Sequence, residues 1–366
     1  MNQKYFTLGP VEMFEYTRER PLGQLPYFRT EEFSKINLEC AARLKRLTGA
    51  PPDAHVFLLT CSGTGAMEAV AGGCFCDEDG LLVVDGGGFG RRFAEMAEFH
   101  GLPYQRAVLD FGEALAPETL DEAAADGGLT GMLVNLHEST TGQLYDKDLL
   151  ASFCRAHGLY FVVDAIASFL ADPLDFEKDD VDALIISSQK ALALPPGLAA
   201  VILSDRLYKK ILEQDIRPFS MYFDFREAEA NAARGQTPFT PAIGVILALR
   251  ERLEKLEEGG GADAAVARTK ELAEDFRARI ETLLERGAIA LPKYTLSNAC
   301  TPLVFPNGGA KDVYERLSKE HGVWLNPNGG ALADKVLRVG HLGNLTKEDN
   351  DLLVKLLVKL LSDTLT

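Results

Sequence analysis

Between about residue 55 and residue 205 the chain repeats one pattern, a short apolar run followed by a stretch that reads as helix. The runs are 55–60 (HVFLLT), 80–85 (GLLVVD), 131–136 (GMLVNL), 159–164 (LYFVVD), 182–187 (DALIIS) and 199–203 (AAVIL). Most are continuously apolar rather than alternating, the mark of strands covered on both faces. Helical segments such as 66–71, 93–100 and 149–157 stand between them. Alternating β and α units predict an α/β fold with a mainly parallel, right-handed wound sheet and helices on both faces.

The 366 residues exceed one small core, and 46% hydrophobic with 25% charged residues supplies enough apolar surface for a large domain plus a smaller one. The stretch 257–265 (EEGGGADAA) reads as a break between two helices. Beyond it, strand signals at 301–305 and 336–339 mix with helices, the last over 346–361 with a capping box of Thr346 and Asp349. The expected division is therefore an arm (1–20), a large domain (21–256) and a smaller α+β C-terminal domain (257–366).

The net charge of −16 argues against nucleic acid or an anionic membrane as partner. No apolar run reaches the roughly 20 residues needed to span a bilayer. The first residues, MNQKYFTLGP, resemble neither a signal nor a transit peptide, so the expected location is cytoplasmic. The six cysteines show no zinc-ligand spacing, and no metal is expected; Cys74 and Cys76 read as reduced thiols.

In an open α/β sheet, ligands collect beyond the carboxyl ends of the strands, so the residues after each run carry the functional reading. After HVFLLT, residues 61–69 read CSGTGAMEA. There the Thr64, Gly65 and Ala66 amides at a helix N-terminus, with the Thr64 hydroxyl, would cradle a phosphate. After GLLVVD comes GGGFGR (86–91). It fails the dinucleotide fingerprint at Arg91, which disfavours a nicotinamide dehydrogenase, and instead offers Phe89 on a flexible loop as a flat surface for a ring.

HESTTG (137–142) supplies hydroxyls, and LYFVVD ends in a carboxylate, Asp164, that needs a partner if buried. DALIIS leads into SSQKALALPPG (187–197), which places Lys190 at the end of an apolar strand. Each feature has a plainer reading: an ordinary turn, a glycine loop, a helix N-cap aspartate. Together they match pyridoxal 5′-phosphate, whose aldehyde condenses with an amine, whose ring nitrogen takes an acidic partner and whose phosphate takes amides and hydroxyls.

In these residues the chain resembles the class V aminotransferases of fold type I, the alanine–glyoxylate, serine–pyruvate and 2-aminoethylphosphonate–pyruvate group. The similarity runs from Thr7-Leu8-Gly9-Pro10 to the RVGHLG of residues 338–343, and SQKAL followed by PPG is its most specific piece. The resemblance implies Lys190 as the Schiff-base lysine and Asp164 as partner of the pyridine nitrogen. It further implies Phe89 as the stacking ring, Ser139 near the 3-hydroxyl, and Thr64, Gly65, Ala66 and Gln189 at the phosphate. Thr237, in GQTP (235–238), would reach the phosphate of a neighbouring subunit in a homodimer with shared active sites. Arg338 would clamp the substrate carboxylate, with Gly9 closing over the substrate.

Arg234 stands where several relatives place a phosphate-contacting Tyr, and Phe89 where many have Trp, Tyr or His. The implied reaction moves an amino group from a small donor (alanine, serine or 2-aminoethylphosphonate type) to a small 2-oxo acid (pyruvate or glyoxylate). The alternatives are a lyase or cysteine-desulfurase-like enzyme, for which Cys300 is the one conceivable mobile thiol, and a non-catalytic cofactor-binding domain. Without the resemblance, Arg338 also reads as a surface arginine on an edge strand, and His137 and His341 as loop histidines.

Overall fold

The computed structural model describes residues 3–20 and 23–362; residues 1, 2, 21, 22 and 363–366 of the expected arm and domains lie outside the described residues. In chain order the described strands are β1 (Lys4–Tyr5), β2 (His55–Leu59), β3 (Leu81–Asp85), β4 (Tyr104–Val108), β5 (Gly131–Asn135), β6 (His137–Glu138), β7 (Gln143–Leu144), β8 (Tyr160–Asp164), β9 (Ala183–Ser187), β10 (Ala199–Leu203), β11 (Cys300–Val304), β12 (Val323–Trp324), β13 (Asn326–Pro327) and β14 (Val336–Gly340).

Seven of them form the central sheet in the order β2-β10-β9-β8-β5-β3-β4. All six expected runs are strands of it. Neighbours from β9 through β8, β5 and β3 to β4 pair in parallel. β10 lies antiparallel to both β9 and β2. Because β10 separates them, β2 and β9 point the same way and end on one edge of the sheet, about 10 Å apart by two strand spacings.

Alternate side chains of these strands enter different cores. Leu82, Val84, Met132, Val134, Val163, Leu184 and Ile186 join one buried cluster. Leu81, Val83, Leu133, Val162, Ala183 and Ile185 join the other. Continuous apolar runs are thus the physical consequence of a sheet with no wet face. The edge strand β4 differs: its YQRAV is mostly unburied, and Arg106 Nε donates to the buried Asp85 carboxylate at 2.9 Å. An edge strand carries charge instead of an apolar signal, so the sequence pattern passes over it.

A third buried cluster gathers residues from Leu272 to Leu361 together with Phe6. It packs under the sheet β11-β14-β13, in which β14 is central. The helix Lys347–Ser362 that closes this region has the expected capping box: Thr346 N donates to Asp349 Oδ2 at 2.9 Å and Asp349 N to Thr346 Oγ1 at 3.3 Å. The leading segment is tied to the same region, with Lys4 opposite Val323 and Gly340 N donating to Phe6 O at 2.7 Å. Among the described residues no helix is long and apolar enough to cross a membrane.

Candidate active site

Lys190 lies just beyond β9, in the return loop to β10. Ser188 pins that loop: its hydroxyl donates to Pro195 O at 2.7 Å and its amide to Leu198 O at 2.9 Å. The half-buried ammonium is pulled down to about 8 by desolvation, against the opposing field of Asp164 and with help from Arg338. Gly9 packs directly on its methylenes. A Cβ there would stand 2.6 Å from Lys190 Cδ, and the positive φ of 143° favours glycine as well. Val11 N reaches Gln189 O at 3.3 Å, so the leading segment lies along the lysine loop.

Asp164 ends β8, one strand over, and is buried. Its Oδ1 accepts from Ile166 N at 2.7 Å, and its Oδ2 from the side-chain amide of Asn135, its register partner in β5. Burial pushes its carboxyl up to about 6, although both hydrogen bonds and Lys190 favour the ionised form.

At the end of β2 the helix Gly63–Cys74 begins with Ser62 as N-cap. Here the structure corrects the expected cradle. Ala66 N closes the first turn onto Ser62 O at 3.2 Å, and Gly65 N is taken by Ser62 Oγ at 3.3 Å. Outward donors are the first two helical amides, Gly63 and Thr64, because these precede any intrahelical acceptor. The terminus sits close over its neighbours: a Cβ on Gly63 would stand 2.4 Å from Ile166 Cδ1 and 3.3 Å from Ser187 Cβ.

Phe89 is not on a flexible loop. It lies in the first turn of the helix Gly88–Phe99, with its amide donating to Glu138 at 3.1 Å. Arg92, one turn on, stacks over the Phe89 ring at 4.9 Å and donates to Thr64 Oγ1 at 3.3 Å, joining the aromatic surface to the cradle. Ser139 is buried, and its carbonyl accepts from Arg338 Nη1 at 2.6 Å. Gln189 is tied by Ser187 Oγ at 2.5 Å.

Arg338 is not a surface residue of an edge strand. From central β14 its guanidinium holds the carbonyls of Ser139 and, at 2.8 Å, Pro327, and its buried Nε has no partner. Desolvation lowers its pKa, which for a guanidinium leaves the charge in place.

Thr237 is not brought to Lys190 by any described contact; its hydroxyl donates to Phe239 O at 2.7 Å. Arg234 is exposed and bonded to Asn231 at 2.6 Å. Cys300 begins β11, opposite Gly340, and is fully buried with its thiol pushed up to about 11. That is the opposite of the mobile thiolate a desulfurase-like reaction needs. Burial also holds His137 and His341 neutral, near 3. No cluster of potential metal ligands occurs among the described residues.

Sequence reasoning missed Asn135, Arg92 and Glu138. Glu138 carried a usable signal, a carboxylate two residues after an apolar strand, the same kind of signal that singled out Asp164. The donor set fits pyridoxal 5′-phosphate: an amine on a pinned loop, a buried carboxylate, a capped helix start beside Arg92 for a dianion, and an orphaned guanidinium Nε for a carboxylate.

The family profile described as Aminotransferase class-V matches residues 26–348. The chain is 30% identical to alanine–glyoxylate aminotransferase from Oryctolagus cuniculus over 81% of this chain and 77% of the relative. It is 28% identical to 2-aminoethylphosphonate–pyruvate transaminase from Vibrio vulnificus over 97% of both. Its fold superimposes on a subgroup IV aspartate aminotransferase from Thermus thermophilus with a TM-score of 0.86 and 26% identity, covering 98% of this chain and 99% of the other.

Proposed function

The chain belongs to the class V aminotransferases, pyridoxal 5′-phosphate-dependent transaminases of fold type I, and from that premise we propose which of its residues carry the reaction and what it acts on. The observation that supports the assignment best is Lys190: a half-buried amine pulled down to about 8, held on a pinned loop between Gly9 and the Asp164 strand.

The bound cofactor supplies an aldehyde for an amine and a ring that takes up the electron pair left on the substrate carbon. Lys190 is the amine, and a good fraction of it is neutral near pH 8, so it can attack and afterwards move the proton at the substrate carbon. Asp164, aimed by Ile166 N and Asn135, holds a negative charge toward the ring nitrogen. Ser62, Gly63, Thr64 and Arg92 hold the phosphate, with Gln189 alongside. Phe89 would cover one face of the ring and Ser139 would serve the 3-hydroxyl. Arg338 takes the substrate carboxylate on the donors that Ser139 and Pro327 leave free, and Gly9 lines the lid.

The donor is a small amine of the alanine, serine or 2-aminoethylphosphonate type and the acceptor pyruvate or glyoxylate, as the names of the rabbit and Vibrio relatives suggest. The working unit is a cytoplasmic homodimer in which Thr237 serves the partner's phosphate; the lack of a described contact between Thr237 and its own Lys190 loop, and six free cysteines, favour that reading. The arm, the large domain to residue 256 and the smaller domain beyond it belong to the same proposal.

Borohydride reduction of the holoprotein followed by peptide mapping tests the lysine. The expected tag is on Lys190, and a tag on another residue overturns the assignment. A screen of donors against pyruvate and glyoxylate, with aminophosphonates included, identifies the pair.

A further inference from the structure

Glu138 has no exposed surface, yet both its carboxylate oxygens are fully used. Oε2 accepts from Phe89 N at 3.1 Å and Gly90 N at 3.0 Å, and Oε1 accepts from Thr140 N at 2.9 Å. Thr140 Oγ1 takes the next amide, Gly88 N, at 3.0 Å. One side chain therefore locks the first turn of the Phe89 helix onto the hydroxyl loop, with its charge at the positive end of that helix.

The other side of the same loop is gripped by the C-terminal region, carbonyl by carbonyl. Ser139 O accepts from Arg338 at 2.6 Å, Thr140 O from Asn328 Nδ2 at 3.1 Å, Thr141 O from the Tyr294 hydroxyl at 2.9 Å, and Gly142 O from Ser297 N at 3.1 Å. The loop is a rigid bar with the ring surface at one flank and the carboxylate clamp at the other. Glu138 is the only side chain described on the loop that fixes it to the amides of both Phe89 and Gly90.

We propose that Glu138 is a positioning residue that fixes Phe89 relative to Arg338, so that cofactor ring and substrate carboxylate are held in one frame. The proposal rests on the roles assigned above to Phe89 and Arg338. All three bonds need an acceptor, and a carboxylate is acceptor-only on both oxygens. Glutamine has the same shape but must turn its NH₂ toward at least one of the three amides, so the isostere should fail.

Gly87 offers an independent perturbation. A Cβ there would stand 2.6 Å from Glu138 Cδ, while its φ of 171° suits any residue, so Gly87→Ala displaces the carboxylate without removing it.

Wild type, Glu138→Gln and Gly87→Ala are compared by three readouts. The first is amide hydrogen exchange at Phe89, Gly90 and Thr140 in the cofactor-free protein. The second is visible circular dichroism per bound cofactor, and the third is single-turnover transfer from a donor. In Glu138→Gln, exchange should speed up at least about tenfold at whichever amides meet the NH₂, either Thr140 or the Phe89 and Gly90 pair. The dichroic band should shrink, and the single-turnover rate should fall on the order of tenfold to a hundredfold, as for a misplaced reacting pair. Gly87→Ala should shift all three in the same direction, and it carries the test if Glu138→Gln does not fold.

Unchanged exchange and dichroism in both variants overturn the proposal. So does a rate that falls only with the unfolded fraction while the band per bound cofactor stays normal. Borohydride tagging of Lys190 is run alongside. A missing tag in the wild type refutes the lysine assignment, and exchange at Phe89, Gly90 and Thr140 then judges Glu138 separately.

Discussion

The central sheet carries a lysine–aspartate neighbourhood at each end of its strands. At the amino end, Asp79 precedes β3 and pairs with Lys210 at 2.6 Å, both side chains 3% exposed. The ammonium also donates to Cys74 O at 3.0 Å, and the carboxylate accepts from Thr130 Oγ1 and Cys76 N, each at 2.9 Å. At the carboxyl end no ion pair joins Asp164 to Lys190 among the described residues. They influence each other's charge without touching, and burial drives both toward neutrality, the acid up to about 6 and the amine down to about 8. The same two residue types thus make a mutually satisfied pair at one end and a chemically available one at the other.

The sharpest way to test this contrast is to remove each lysine. Lys190→Ala should lower transamination at least about a thousandfold, since nucleophile and proton carrier vanish together, with the folded state intact. Stopped-flow transfer and thermal melting check both halves. Lys210→Met should do the reverse, costing about 3–5 kcal/mol of stability by stranding a buried carboxylate while turnover per folded molecule holds. If Lys210→Met impaired catalysis instead, the division of labour between the two ends would break down.

A smaller effect is expected from Asp164→Ala: about 3 kcal/mol of barrier, the loss typical of one preorganised electrostatic partner, read from single-turnover rates. The smallest concerns pH. Because the Asp164 carboxyl sits above its ordinary value in the folded protein, its ionisation counts against the fold as pH rises through about 6. Asp164→Asn should therefore make the cofactor-free protein more stable at pH 8 by about 1–2 kcal/mol, and the gain should disappear below about pH 4. Denaturant melts at both pH values measure it, and an equal gain at both would mean that charge is not the cause.

Sequence carried the sheet because buried parallel strands need unbroken apolar runs, and all six such runs are strands. Lys190 and Asp164 stand out in the sequence on similar grounds, since a charged residue closing an apolar run is conspicuous, and the structure places both at the carboxyl end of the sheet. The sequence pattern lost β4, where Arg106 and Gln105 face water at an edge. It did not show that the Gly65 and Ala66 amides are taken by Ser62, because which amides remain free depends on where Ser62 caps, and a run of Gly-Thr-Gly does not specify that. Arg92 and the bonds of Glu138 to Phe89 and Gly90 were out of reach, as they join residues 28 and 48 or more positions apart through three-dimensional packing alone.

The strand β1 and the Gly9 contact have a consequence for the order of assembly. Lys4 and Phe6 donate their amides to the Gly322 and Trp324 carbonyls and Leu8 donates its amide to Asn326 Oδ1, so this segment closes a loop of more than 300 residues when it docks. The wall beside Lys190 therefore forms only when segments more than 300 residues apart meet, a slow kind of contact in folding. Until that contact is made the large sheet alone leaves Lys190 without its Gly9 neighbour, so the flank of the lysine closes late in folding.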